Sequence, residues 1–548
     1  MPRSRRLPVL LAVAGGLPLV EAAILASIGF VSPRALAPQI TAVWPYDSYH
    51  DLRWLFVYHN SWLTFGLGLV AAVALRGGLS ALLVLLSWPA QAPRPPARVL
   101  LRRNLGVAAL TAVIVAPFAA LSVAASAVAL SWYLFVSLGP MVLLAPFLQR
   151  MAVVPRGWRG LPSAELFGWS LLDLVVLSVA GGLVWSAAPG WTPLVALSAG
   201  LCNGLLWQRT VRAALLPAHV RLLRVPVVPV VVVLAMAVPL VAETLAVPRS
   251  GTARDTFGPP LFSQPLAASV PYAVLLLAGH DSSYDGRPAT DPRVRRYSYA
   301  GVDAGGRPLP YEALDTHQSL ATSSEHLAAQ VDALHRLTGR PIALLGESEG
   351  AMVARTYLRD RPDSPVRALL MFSPLVRSGR AYYPPAEASS GWGIGAGWVL
   401  RGMFGFANRL SHGTSNPDEP FVRSLIDNAP FYRYQTMCPI PGVRVIAFLP
   451  TVSSVEAPPG PFTRIPVVEV PALHAGFLGR PVVADEMIDF LAGQSLDKPR
   501  TEYGVLQRLG AAWQAPPLTV TLNPAWRGQV PPGTSPYLQS QLCASPVS

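Results

Sequence analysis

From Leu105 to Gln149 the chain runs for 45 residues without one charged side chain. A helix needs about 20 apolar residues to cross a hydrocarbon core. This run is therefore long enough for two crossings joined by a tight turn. Within lipid the backbone must satisfy its own N–H and C=O groups, and helices do that within a single segment. Comparable stretches recur through the first half, giving expected spans at 7–30, 54–75, 105–127, 130–149, 167–188, 190–207 and 225–247. Leu79–Trp88 is too short to cross alone. It reads as an interfacial piece or an extension of the second helix, and an eighth span there stays open.

Charge divides the chain at the same place. Residues 1–249 carry 18 arginines and 6 carboxylates, whereas the remainder carries 25 basic and 24 acidic residues. Of the net charge of +13, +12 falls in the apolar half and +1 in the rest, which argues against nucleic acid as a partner. With 52% hydrophobic and 13% charged residues, the composition departs from that of ordinary soluble domains. Lys498 is the only lysine, a usage that points to a GC-rich genome. Alternate connections between the expected spans hold 15 arginines: Arg3, Arg5 and Arg6; Arg76, Arg94, Arg98, Arg102 and Arg103; Arg150, Arg156 and Arg159; Arg209, Arg212, Arg221 and Arg224. The intervening connections hold Arg34 and Arg53, beside Asp47 and Asp51. By the positive-inside rule the N-terminus is cytoplasmic, and seven crossings put the second half outside. The first apolar segment comes after Met-Pro-Arg-Ser-Arg-Arg and is read as an uncleaved signal anchor.

Three carboxylates fall within expected spans: Glu21, Asp173 and Glu243. An ionisable group there marks a candidate site. With no paired basic residue or transport motif evident, the preferred reading is a protonated acid bonded to a neighbouring helix.

After a Pro- and Gly-containing linker at 248–270, the pattern changes to short apolar runs alternating with amphipathic helices, the mark of a parallel sheet covered on both faces. Strands are expected at Tyr272–Gly279, Arg295–Gly301, Pro341–Leu345, Val366–Phe372, Val443–Leu449 and Ile465–Val470. Helices are expected at Thr322–Leu337, Ala351–Asp360 and Ala484–Ala492. Gly346-Glu347-Ser348-Glu349-Gly350 lies between a strand and a helix. Glycines suit a turn this sharp, which thrusts the serine out above the sheet.

Strand, G-x-S-x-G and helix in this order resemble the nucleophile elbow of the α/β-hydrolases, and the likeness extends over about 270–492. Together with the expected spans, it gives an N-terminal α-helical transmembrane bundle followed by a C-terminal α/β domain, for which the resemblance implies an α/β-hydrolase sheet with a cap insertion at about 377–440. The resemblance makes Ser348 the nucleophile and His474, after the last strand, the base. Of the nine histidines, His317, His326 and His335 read as surface residues, and His50 and His59 belong to the membrane half. The family keeps its acid after the penultimate strand. There Glu456 is the one carboxylate before His474 apart from Glu469 within a strand. Otherwise the acid comes from elsewhere, or Ser348 and His474 act as a dyad. The resemblance assigns the oxyanion hole to the backbone N–H of Glu349 and one from Gly279 or His280, and the elbow glycines to Gly346 and Gly350. The side chains of Glu347 and Glu349 read as solvent-facing or structural. Aromatic residues in the cap, among them Tyr382, Tyr383, Trp392, Trp398 and Phe406, suit an acyl chain, contact with the bilayer surface, or plain cap packing.

The expected activity is hydrolysis of an ester or thioester, with a lipid or acyl substrate and membrane lipids as surroundings. The alternatives are a transporter or sensor whose hydrolase-like domain binds without turnover, and an acyltransferase using the same triad. No zinc-ligand spacing, P-loop or dinucleotide motif appears, so no cofactor or metal is expected. Cys202 lies in a span, whereas Cys438 and Cys543 fall in the second half and are available to pair. The Pro-rich extension 493–548 is expected to wrap the domain or stay partly mobile.

Overall fold

The computed structural model describes residues 3–128, 132–216, 227–232, 264–376, 379–411, 416–450, 463–470, 481–494, 504–529 and 543. The first half is helical: α1 (Arg3–Ser27), α2 (Tyr46–Val57), α3 (Trp62–Ser87), α4 (Ala97–Val128), α5 (Trp132–Val153), α6 (Ala164–Ser186) and α7 (Thr192–Ala214). Among the described residues, four helices are long and apolar enough to span a membrane: Arg6–Ser27, Trp62–Ser87, Ala97–Ala127 and Ala164–Ser186. α5 and α7 complete the bundle, α1 packing on α7 and α4 on α5. Of the expected span 225–247, only 227–232 lies within the described residues.

The apolar run of 45 residues does divide into two helices, α4 and α5. The span expected at 54–75 is placed differently. The chain breaks after α2, and α3 starts anew because Ser61 caps it, its side chain accepting from the Thr64 N–H at 3.2 Å. α3 then continues through Leu79–Ser87, so that piece extends a helix and is not a further span.

Between α1 and α3 the chain forms a 3-10 helix at Ser32–Thr41 and then α2, both packed inside the bundle. They carry polar side chains with them. Arg76 of α3 forks onto Asp51, with Nε at 2.8 Å and Nη2 at 2.6 Å, and lies 3.5 Å from Asp47. His50 bridges Asp51 at 2.9 Å and Glu21 at 3.1 Å. Asp173 accepts from the Val43 N–H at 3.2 Å. This corrects three expectations. Arg76 is a buried partner inside a helix rather than a loop charge, Asp47 is buried and Asp51 half-buried on α2 rather than in a loop, and Glu21 has a basic partner. Glu243 lies outside the described residues.

The second half holds a six-stranded, all-parallel sheet in the order β2-β1-β3-β4-β5-β6, from β1 (Ala273–Leu277), β2 (Val294–Arg296), β3 (Ile342–Glu347), β4 (Val366–Phe372), β5 (Arg444–Pro450) and β6 (Val467–Val470). β1 is buried throughout and β3 and β4 nearly so, as apolar runs covered by helices on both faces must be. From β1 the chain goes outward to β2 and then returns to place β3 on the other side of β1. The crevice at such a reversal is where open parallel sheets bind ligands.

The long connection between β4 and β5 is built around helices Ile394–Ser411, Pro420–Asp427 and Ala429–Gln435. Its first helix packs on α2, α3 and α4. The Gly379 and Arg380 N–H groups donate to Ala127 and Ser126 at the end of α4, at 2.6 and 2.8 Å. His59 Nε2 accepts from the Gly395 N–H at 2.7 Å. The tail 504–529 touches the second half, where the Trp526 indole donates to the Ile426 carbonyl at 2.8 Å, and lies against the bundle as well. Gln39 and Arg53 donate to the Ala512 carbonyl, and the Trp513 indole donates to Ser178 of α6 at 2.8 Å. Cys438 and Cys543 form a disulfide, while Cys202 is an exposed free thiol on α7.

Candidate active site

Ser348 occupies the junction between β3 and the helix Glu349–Asp360, with φ 51° and ψ −110°. A non-glycine residue in that region costs on the order of 1–3 kcal/mol and persists where its surroundings impose it. Here they do so through packing. A Cβ on Gly346 would lie 2.6 Å from the Ala351 nitrogen and the Gly350 carbonyl carbon. One on Gly350 would meet the Leu277 backbone and lie 2.7 Å from the Leu277 Cβ. Both obstacles include backbone, so neither can swing aside. The Ser348 N–H donates to the Phe372 carbonyl of β4 at 2.8 Å, which ties the turn to the sheet.

The loop after β1 closes on this serine. A Cβ on Gly279 would lie 3.3 Å from the Ser348 Cβ and 3.9 Å from its Oγ. Tyr299 steadies the end of β1, its hydroxyl donating to the Ala278 carbonyl at 2.8 Å. Gly279 and Ser348 thus face each other at the carboxyl ends of β1 and β3, in the crevice of the strand-order reversal. Glu349 is the first residue of its helix, so its N–H has no intrahelical acceptor and points with the positive end of the helix dipole.

His474 and Glu456 lie outside the described residues. The strands that lead to them are described, and β5 and β6 run parallel with Pro450 opposite Val470. β4 pairs with β3 through Glu347 and Phe372, and with β5 through Phe372 and Phe448. β3, β5 and β6 therefore end at the same, carboxyl edge of the sheet.

Around the loop after β1 is a cluster of side chains that was not anticipated. His280 Nδ1 donates to Glu349 Oε2 at 2.9 Å, and its Nε2 lies 3.1 Å from Glu419 Oε1. His317 Nδ1 lies 3.0 Å from Glu419 Oε2, and its Nε2 lies 2.8 Å from Asp281 Oδ1. The His280 ring is sandwiched between His317, at 4.5 Å, and Phe421, at 5.1 Å. Burial works against the His280 imidazolium, but its hydrogen bonds to Glu349 and Glu419 override this and raise its pKa to about 10. Burial raises Glu349 to about 7 against the opposing pull of His280, and burial alone raises Glu347 to about 7.

The expected surface position of His317 is thus corrected: its side chain is 14% exposed and bound on both nitrogens. Glu349 is fully buried, so its side chain is structural and not solvent-facing. His326 donates from Nδ1 to the Tyr299 carbonyl at 2.7 Å, and half-buried His335 donates from Nδ1 to the Arg340 carbonyl at 2.7 Å. The sequence singled out Gly279-His280 only for its backbone. Glu419 belongs to the connection between β4 and β5, about 140 residues away along the chain, and no spacing joins the two.

No family model matches the chain, and no curated protein matches it.

Proposed function

We propose that the protein is a membrane-anchored serine hydrolase of the α/β-hydrolase type that cleaves an ester or thioester of a lipid or other acyl substrate. The observation that carries this reading is the backbone of Ser348, held at φ 51° in a glycine-walled turn between a buried parallel strand and a helix. In the proposed cycle His474 removes the Oγ proton of Ser348 as the new Oγ–C bond forms. The carbonyl oxygen takes up negative charge opposite the backbone N–H of Glu349 and one from the Gly279-His280 loop. His474 then returns the proton to the leaving alcohol or thiol as its bond to carbon breaks. Water repeats the sequence from the other side, giving the acid and free Ser348. Glu456 is the proposed partner that orients His474.

The insertion acts as the cap in this reading, and its position favours an acyl substrate. Trp398 and Phe406 are 51% and 58% exposed on the helix that packs against the membrane helices, and Trp398 lies 6.1 Å from Trp62 at the start of α3. Exposed aromatic rings at such a boundary suit the lipid interface. We place the sheet on the outer side of the membrane. The contacts to the sheet half come from the start of α3 and the end of α4, whereas Arg98, Arg102 and Arg103 start α4 and Arg150 ends α5. A disulfide in the second half accords with an oxidising compartment.

Labelling with a fluorophosphonate probe tests the reading. The purified protein should be labelled at one site, and Ser348→Ala should abolish labelling while leaving the melting profile intact. Absence of Ser348-dependent labelling in folded protein would count against hydrolysis and in favour of a non-catalytic binding domain.

A further inference from the structure

We infer that His280, His317 and Glu419 form a binding site for one divalent transition-metal ion of the zinc class, which clamps the insertion to the loop after β1. The three candidate ligand atoms lie within 4.8 Å of one another. Glu419 stands 3.1 Å from His280 Nε2 and 3.0 Å from His317 Nδ1. Tetrahedral zinc with bonds of about 2.0–2.1 Å needs its donors roughly 3.3 Å apart, so closing on an ion takes sub-ångström to ångström adjustments. Two imidazoles and a carboxylate are a donor set that zinc accepts, with a fourth position left for water or another ligand.

The surroundings of the ligands make the stronger argument. A metal-bound histidine commonly gives its second ring nitrogen to a carboxylate, which fixes the ring and raises its basicity. Both rings have that partner here. Glu349 holds His280 Nδ1 at 2.9 Å and Asp281 holds His317 Nε2 at 2.8 Å, leaving the other nitrogen of each ring turned toward Glu419. Asp281 is itself fixed by a left-handed backbone, φ 58°, and by its N–H donating to Thr316 at 3.0 Å. Phe421 packs on the His280 face that His317 does not cover. Three carboxylates around two histidines give the pocket the negative charge that a dication offsets.

The ligands come from three separate parts of the chain: the loop after β1, the approach to helix Leu320–Thr338, and the residue before helix Pro420–Asp427. An ion here would fasten the insertion to the loop that touches Ser348. It takes no part in the proposed acyl transfer, and its binding does not depend on that reaction.

The test uses full-length protein in detergent, carrying no polyhistidine tag, stripped with chelator and titrated with Co2+ and Zn2+. Wild type should take up one equivalent of Co2+ with the visible absorption of a tetrahedral site, and Zn2+ should displace it. Glu419→Gln and His317→Ala should weaken binding at least about 100-fold, and Glu349→Gln about 10- to 100-fold. Zn2+ should raise the Tm of wild type but not of Glu419→Gln, whose Tm without metal shows whether it has folded. Ser348→Ala should bind metal as wild type does, so loss of probe labelling and loss of metal binding are read separately. If folded wild type binds no stoichiometric ion, or Glu419→Gln binds as tightly as wild type, the site does not exist and protons alone hold the cluster together.

Discussion

Arg53, fully buried in the helical half, donates from Nη1 to two carbonyls of the C-terminal tail, Ala512 at 3.2 Å and Gln514 at 2.9 Å. A charged donor bound to buried acceptors contributes about 1.5–3 kcal/mol per bond. Arg53→Ala should therefore lower stability by about 2–4 kcal/mol, read as a fall in Tm in detergent. Truncation before Gly504 should do at least as much, since it also strips the acceptor from Gln39. An unchanged Tm in both variants would show that the tail does not dock.

Two glycines beside Ser348, Gly350 of the elbow and Gly279 of the loop after β1, should separate folding from chemistry. Gly350→Ala drives a Cβ into the Leu277 backbone and should cost about 1–3 kcal/mol or more in overpacking. Gly279→Ala places its Cβ 3.3 Å from the Ser348 Cβ, a tight but tolerable contact. It should fold normally, yet slow fluorophosphonate labelling by about 10-fold, equivalent to about 1.4 kcal/mol. Equal labelling rates for Gly279→Ala and wild type would mean that this loop does not border the reacting serine.

In the bundle, Arg76→Met leaves buried Asp47 without its cation and Asp51 with His50 as its remaining basic partner. Removing one partner of a buried pair costs about 3–5 kcal/mol. The variant should melt well below wild type, and adding Asp51→Asn should recover part of the loss. A double variant no better than Arg76→Met would show that the pair carries no coupling.

The disulfide closes a separation of 105 residues, joining the segment after helix Ala429–Gln435 to the tail. Cys438→Ser should lower stability by about 2–4 kcal/mol. Reductant should lower the Tm of wild type to that of the variant and leave the variant unaffected.

Asp291 gives the sheet half an acid-sensitive component. Its hydrogen bonds from Arg293, outweighing the opposing effect of burial, and those from the Arg293 and Leu266 backbone N–H groups hold its pKa at about 2, below the ordinary 3.8. A depressed carboxylate stabilises the folded state above its unfolded pKa and loses that contribution as protons bind. The advantage of wild type over Asp291→Asn should therefore be full above about pH 5, at about 1–2 kcal/mol after solvent screening, and fade between about pH 4 and 2. A difference in Tm that stays constant across that window would assign the effect to packing.

The strands and the elbow were legible because their signals are local. Five apolar runs of strand length became strands, the expected strand Arg295–Gly301 meets the short β2 only at Arg295 and Arg296, and Gly346 and Gly350 announced the turn at Ser348. The two apolar helices of the 45-residue run were equally plain. The relationships that escaped join distant segments. Hydropathy averages over a window, so it joined α2 to the start of α3 and missed the cap at Ser61. It also counted Arg76 by its position along the chain, when its meaning comes from Asp51 on a helix folded back inside the bundle. His280, His317 and Glu419 share no spacing pattern, because their proximity arises from the return of the insertion over the sheet.

The docking of the tail has a consequence for the order in which the protein matures. Gln39 and Arg53 are made early, but the carbonyls that satisfy them belong to Ala512 and Gln514, which leave the ribosome after the whole sheet. Until then the helical half holds donors with no protein acceptor in place, and the groove that receives Trp513 stands open. The packing of the bundle is thus completed by residues that follow the sheet in the chain, and the seam between the two halves is closed by the tail.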